Sequence, residues 1–261
     1  MKQQQSGHEP EDKKKNMDKM RDLAYYNGKI TAIDDMMIPA NDRGFYFGDG
    51  IYEAAMVFDH KIFALQDHLD RMFNSAAMLR IELPYTKEEV GALLTDLVQK
   101  LESSCQFLYW QVTRGTSPRN HLFPGKGVSS NLYVYSKPWS GVQMSDEYRL
   151  ISIPDTRFYH CNIKTLNLIP NVMAAQQASE AGCNETVFVR DGFVTECSHS
   201  NISMVKDGVF ITHPLDNLIL PGTERKHIIR YCGELGIPVE ERAFTLEELY
   251  TADEILVTST S

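Results

Sequence analysis

The sequence predicts an α+β fold, and three patterns carry that expectation. Short β-rich runs are joined in pairs by tight turns at Asn27-Gly28, Asp191-Gly192 and Asp207-Gly208, the turn chemistry of antiparallel hairpins. Amphipathic stretches with capping signals, Thr86 with Glu89 and Thr245 with Glu248, mark helices between them. Strands and helices do not alternate regularly, which argues against a wound parallel sheet.

With 261 residues, the chain can form one large domain or two moderate ones. Apolar residues make up 43% of it, enough for a sizeable core. A formal charge of −9 argues against nucleic acid or an anionic membrane as partner. The five cysteines, Cys105, Cys161, Cys183, Cys197 and Cys232, form no CxxC pair. Neither a zinc cage nor a disulfide framework is suggested, and a reducing, cytoplasmic setting is expected. No apolar run approaches membrane-spanning length, and the polar N-terminus lacks the apolar stretch of a signal peptide.

Residues 1–20 are rich in Gln, Lys, Glu and Asp, without periodicity, and read as a mobile tail. Leu23–Tyr26 and Lys29–Ile33 then predict a hairpin. Asp42-Arg43-Gly44 through Gly48-Asp49-Gly50 places three glycines in seven residues before a strand ending near Phe58. Ile62–Leu65 is expected to pair back across an Asp59-His60 turn. Asp67 is placed as the cap of a helix starting near His68, with Leu69, Met72, Phe73, Ala76 and Leu79 inward and Arg71 off that stripe. A second helix runs from about Lys87 to Glu102 behind its capping box, with Val90, Leu93, Leu94, Leu97 and Leu101 inward. Phe107–Thr113 and Asn131–Tyr135 are further strands. Ser136–Glu147, with Pro138 and Gly141, reads as a linker, giving a smaller α+β domain over 21–138 and a larger, strand-rich one over 139–261.

In that second part a strand is expected at Tyr148–Ile153. A helix follows at Asn171–Ala181, facing inward through Val172, Ala175, Gln176 and Ser179 and closed by Gly182. Strands at Glu185–Val189 and Phe193–Thr195 deliver Glu196 into Cys197-Ser198-His199-Ser200-Asn201. Another hairpin spans Ile202–Thr212. Pro221-Gly222-Thr223 opens a helix with Ile228, Ile229, Cys232 and Leu235 inward, and Ile255–Thr260 is a final strand.

Lys164 stands out among the lysines. It lies among Ile163, Leu166, Leu168 and Ile169, where burial disfavours an ammonium and a neutral amine suits Schiff-base chemistry. The ordinary alternative is a lysine whose stem packs and whose head reaches water. Arg119 and His121, at i and i+2, point the same way on extended backbone and would grip a carboxylate, or else belong to a polar loop. The helix start at Gly222/Thr223 suits a phosphate or is an ordinary cap. Together these groups supply what pyridoxal phosphate needs: an imine-forming lysine, an acid (Glu196) for the ring nitrogen, phosphate contacts from Arg71 and Gly222/Thr223, a phenol (Tyr52) and a carboxylate grip.

The stretches Asp42–Glu53, His68-Leu69-Asp70-Arg71, Gln111–His121, Ile163–Asn167, Val194–Asn201 and Val257–Thr260 resemble the class IV aminotransferases, the fold-type IV pyridoxal-phosphate enzymes. The resemblance runs from about Tyr25 to the last residue and is strongest to the D-amino-acid aminotransferases. It implies that Lys164 carries the cofactor and shuttles the proton, and that Glu196 bonds the ring nitrogen. It implies that Arg71, amides near Thr223 and Glu224, and hydroxyls of Ser259 or Thr260 hold the phosphate. Tyr52, Arg119 and His121 match the family's carboxylate trap, the last two reaching over from a second subunit, so a homodimer is expected. The implied reaction transfers the amino group of a D-amino acid of the D-alanine type to 2-oxoglutarate, giving a pyruvate-type keto acid and D-glutamate.

Three features depart from the family pattern. Glu224 stands where relatives usually have a phosphate-bonding threonine, and His199 stands where they have a small residue. Relatives also continue beyond Thr260 with further strands and a closing helix. A branched-chain L-aminotransferase is the alternative on the same scaffold, and an aminodeoxychorismate-lyase-like activity is disfavoured by the Arg119/His121 pair. A folded but inactive protein, impaired by Glu224 and the short C-terminus, is the reading outside enzymology.

Overall fold

The computed structural model describes residues 19–140 and 147–260. The expected tail lies outside the described residues up to position 18; half of the expected linker, 141–146, is also outside them, while its start, Ser136–Pro138, is strand rather than linker. Met20 is not part of a tail: its amide donates to the Lys100 carbonyl at 2.8 Å and its carbonyl accepts from Glu102 at 2.9 Å.

The first hairpin, β1 (Leu23–Tyr26) and β2 (Lys29–Thr31), turns through Asn27 and Gly28 at φ 44° and 97°, as its turn type demands. The glycine-rich stretch differs from expectation. The Asp42 carboxylate accepts from the Gly44 amide at 2.7 Å and starts a short helix, α1 (Arg43–Phe47), which Gly48 ends at φ 59°. β3 (Gly50–Phe58) follows, but its partner β4 is only Lys61–Ile62. The chain bends at Ala64 (φ 47°), so α2 (Leu65–Met78) begins at Leu65 rather than near His68. Asp67 is therefore not its cap. It sits in the first turn and pairs with Lys226 and His227, tying α2 to the later part of the chain.

α3 (Lys87–Gln99) carries the expected capping box, with Glu89 N donating to Thr86 Oγ1 at 3.1 Å and Thr86 N to Glu89 at 2.8 Å. It stops short of Glu102, though Leu101 is still buried. β5 (Gln106–Thr113) and β6 (Asn131–Pro138) complete an antiparallel six-stranded sheet in the order β2-β1-β6-β5-β3-β4. Side chains alternate across it. Leu108 and Trp110 meet Leu69, Met72, Leu94 and Leu97 of the two helices. Tyr52, Tyr109 and Tyr135 stack along the other face, with ring centroids 5.6 and 5.0 Å apart.

The later elements are β7 (Leu150–Pro154), α4 (Ile169–Glu180), β8 (Glu185–Arg190), β9 (Phe193–Cys197), β10 (Asn201–Lys206) and β11 (Val209–Thr212). α5 (Thr223–Leu235), β12 (Val239–Glu241), α6 (Leu246–Tyr250) and β13 (Glu254–Thr258) follow. They form a three-stranded sheet, β7-β8-β9, and a four-stranded one, β12-β11-β10-β13. A second core, including Val187, Val194, Ile202, Met204, Ile211 and Phe244, lies between them. The strand-rich α+β architecture is thus present.

Two helix faces differ from the expected stripes. α4 buries Ala174 and Ala178, while Val172 is 62% exposed. Small side chains bring the helix close to β8, where the Thr186 hydroxyl donates to the Ala174 carbonyl at 2.8 Å. On α5, Cys232 is buried as expected but Leu235 is 75% exposed. Arg225 takes the inward place, donating to the His213 carbonyl at 2.8 Å and to Glu241 at 2.7 Å.

Candidate active site

Lys164 is held by backbone rather than by a helix or strand of its own. Its carbonyl accepts from the Tyr52 amide at 2.9 Å, and Leu166 N donates to the Gly50 carbonyl at 3.1 Å. Its own amide donates to the Ser75 hydroxyl at 3.3 Å. This docking needs glycine at position 50, where a Cβ would lie 2.5 Å from the Val112 carbonyl and 2.8 Å from Leu166. The Lys164 ammonium sits over the Tyr52 ring, 4.2 Å from its centroid, a favourable cation–π distance.

Both side chains line a cavity of about 270 Å³. Arg71, Glu196, Thr223, Glu224, Ser259 and Thr260 line it too, together with His199 and Thr258. Eight of the ten sequence-derived candidates therefore converge. Arg119 and His121 do not enter the cavity of their own chain. They lie exposed against Phe47, with the Arg119 guanidinium 5.1 Å and the His121 ring 5.2 Å from its centroid.

Arg71 is 8% exposed and grips Glu53 with two bonds of 2.7 Å, while its third nitrogen donates to the Pro221 carbonyl at 3.1 Å. The buried His68 ring meets the same carboxylate at 2.8 Å. Burial by itself would raise the Glu53 carboxyl. The Arg71 charge and hydrogen bonds, His68 and the nearby Lys164 charge outweigh it and hold it at about 2.

Glu196, near the end of β9, is held by three donors. One oxygen takes the Arg157 guanidinium, and the other accepts from Asn201 at 3.0 Å and the Leu220 amide at 2.9 Å. Burial pushes its carboxyl up, against the Arg157 charge and the Leu220 amide. Arg157 is fixed in turn by Asp155 (2.8 and 2.9 Å) and by the Leu218 carbonyl at 3.0 Å. Gly222 makes room for Asn201, since a Cβ there would fall 2.0 Å from the Asn201 amide oxygen.

No side chain caps the start of α5 at Gly222, which leaves amide donors facing the cavity side. Thr223 is buried, and burial raises the Glu224 carboxyl, opposed by the nearby His227 and His68. Thr260 donates to the Ala54 carbonyl at 3.5 Å. The Thr258 hydroxyl is buried with no hydrogen-bond partner among the described residues.

Sequence reasoning missed Arg157, Asp155, Glu53, His68 and Thr258. Glu53, His68 and Thr258 lie within the stretches that carry the resemblance, whereas Asp155 and Arg157 lie outside them, in a segment without a local motif. Among the described residues, no cluster of His, Cys, Asp or Glu is placed to hold a metal, and no helix is long and apolar enough to cross a membrane.

Residues 50–261 match the amino-transferase class IV family, and the chain belongs to that family; it is an aminotransferase. It is 41% identical over 240 residues to a D-alanine aminotransferase of Listeria monocytogenes, covering 90% of this chain and 83% of that one. It is 37% identical over 238 residues to a D-alanine aminotransferase of Bacillus licheniformis, covering 90% and 84%. The fold is similar to that of a branched-chain amino acid aminotransferase of Escherichia coli, with TM-score 0.83, 23% identity and coverage of 92% and 84%.

The Glu53–Arg71 pair makes stability depend on pH in a defined direction. An unfolded glutamate takes up a proton near 4.5, whereas Glu53 in the fold does so only at about 2. Its contribution is complete above the unfolded value and is lost as pH falls toward the folded one. Between about pH 5 and pH 3, the wild type should lose roughly 2 kcal/mol more than Glu53→Gln. Urea unfolding of both proteins at the two pH values checks this, and parallel pH dependences would contradict it.

Proposed function

We propose that this chain is a pyridoxal-phosphate-dependent transaminase that moves the amino group of a D-amino acid of the D-alanine type to 2-oxoglutarate. The products are a pyruvate-type keto acid and D-glutamate. The convergence of Lys164, Glu196 and Arg71 on one cavity carries the proposal. The D-preference rests on the identity to proteins named D-alanine aminotransferase. The reading includes a cytoplasmic homodimer in which Arg119 and His121 serve the other subunit's cavity, which accounts for their exposed position beside Phe47.

The residues present fit the cofactor. The unpartnered Thr258 hydroxyl and the uncapped start of α5 offer donors for a phosphate. Arg71 adds charge at the same end, tempered by its pairing with Glu53. When bound, pyridoxal phosphate supplies a carbonyl carbon for an incoming amine and a ring that withdraws electrons from the substrate Cα. Lys164 provides the amine that holds the cofactor and moves the proton at Cα. Glu196 holds a proton at the ring nitrogen, and its raised carboxyl makes it the stronger acceptor for that task. Arg157 and Asn201 fix its angle. Tyr52 keeps the Lys164 head in place through its ring face and offers its phenol to the substrate carboxylate.

Borohydride reduction of the cofactor-loaded protein should place the phosphopyridoxyl label on the peptide holding Lys164. Lys164→Ala should lose both label and turnover while keeping its melting temperature. A label on any other lysine, or turnover in the variant, would overturn the assignment.

Glu224 sets a second expectation. Its carboxyl stands in the first turn of α5 beside the amides proposed for the phosphate, where a negative charge opposes a dianion. Glu224→Thr should tighten pyridoxal-phosphate binding by roughly fivefold. Absorbance titration of the apo-proteins checks this, and unchanged or weaker binding would contradict it.

A further inference from the structure

His199 follows Glu196 by three positions in the loop between β9 and β10, and none of the roles above uses it. It lines the cavity, and its side chain is 59% exposed. Its Nδ1 is fixed on Glu185, 2.5 Å away. Glu185 is buried and heavily bonded, accepting from the Thr186 amide at 2.7 Å, the Ser198 amide at 3.1 Å and the Ser198 hydroxyl at 2.5 Å. A buried carboxylate so held stays ionised and calls for a cation beside it. The direction agrees on both partners: the bond to Glu185 raises His199 against burial, and that bond outweighs burial on Glu185. With Nδ1 committed, the remaining ring nitrogen is Nε2, which makes no hydrogen bond among the described residues.

The other cations of the cavity are committed. Arg71 faces Glu53, Arg157 faces Asp155 and Glu196, and Lys164 is assigned to the cofactor. A substrate whose α-carboxylate is met from the Tyr52 side would still leave any second carboxylate without a partner. His199, in the loop after β9, comes from a different element than Tyr52 of β3 and brings to the same cavity an imidazole whose other side faces the Glu185 carboxylate. We propose that His199 is a specificity-determining residue that binds the side-chain carboxylate of dicarboxylic amino and keto acids. The proposal rests on the transaminase reading for the reaction, but not for the binding event itself.

Calorimetric titration of the cofactor-loaded protein with glutarate and with valerate isolates the second carboxylate. Wild type should bind glutarate on the order of tenfold tighter than valerate, and His199→Gln, which keeps a hydrogen bond to Glu185 without the charge, should erase that preference. In the wild type alone, the His199 Cε1–H resonance should move with glutarate and stay with valerate, a readout that survives a misfolded variant. Where D-amino acids turn over, the ratio of kcat/KM for D-glutamate to that for D-alanine should fall by a similar factor, through KM. An unchanged glutarate preference in the variant, equal weakening of both acids, or a still His199 resonance would overturn the proposal. Absence of turnover with every D-amino acid would retire the transaminase reading while leaving the glutarate titration as the test of His199.

Discussion

The backbone docking of the Lys164 segment on the start of β3 is the constraint on which the site depends. Two hydrogen bonds, Tyr52 N to the Lys164 carbonyl and Leu166 N to the Gly50 carbonyl, fix the lysine relative to the six-stranded sheet. Thr165 also bridges to Ile51. The same short stretch of β3 supplies Tyr52 under the ammonium and Glu53 to the opposite face. Alternation along one strand thus places a ring face on the cavity side and a buried acid on the helix side. A side chain at position 50 would force the strand and the lysine segment apart.

Around this contact, two clusters of buried charge meet the cavity. Glu53, His68 and Arg71 form one, and Asp155, Arg157, Arg190 and Glu196 the other. Each buried ion would be costly alone, and each is bonded to a partner of opposite sign. The clusters sit on elements far apart in sequence and meet at the cavity. Their effect is orientation: Arg71 and Glu196 have little rotational freedom left, which is what a site needs when it binds a rigid ring at both ends. The Asp67 contacts to Lys226 and His227 tie α2 to α5 beside the same cavity.

Much of this was legible in the sequence because the signals were local. The Asn27-Gly28 hairpin and the Thr86/Glu89 and Thr245/Glu248 capping boxes act within a few residues and appear as expected. The misread elements involve tertiary competition. Asp67 has the chemistry of a cap, but α2 starts at Leu65 and the carboxylate serves Lys226 and His227 instead. Val172 has the hydrophobicity of a core residue, yet α4 turns its alanines inward because close approach to β8 rewards small side chains. Arg157 and Glu53 look like ordinary charges until distant partners bury them. Arg119 and His121 pack on Phe47 and not in the cavity that Lys164 lines, a placement that no local pattern in the sequence indicates.

The central claim, a transaminase reading D-amino acids through this cavity, is tested most directly by a coupled assay of the cofactor-loaded protein. One cell receives 2-oxoglutarate with D-alanine, the other 2-oxoglutarate with L-leucine. The account predicts turnover with D-alanine and none with L-leucine. Turnover with L-leucine alone would keep Lys164 and the scaffold but contradict the assignment of stereochemistry, and silence in both cells would contradict the transaminase reading itself.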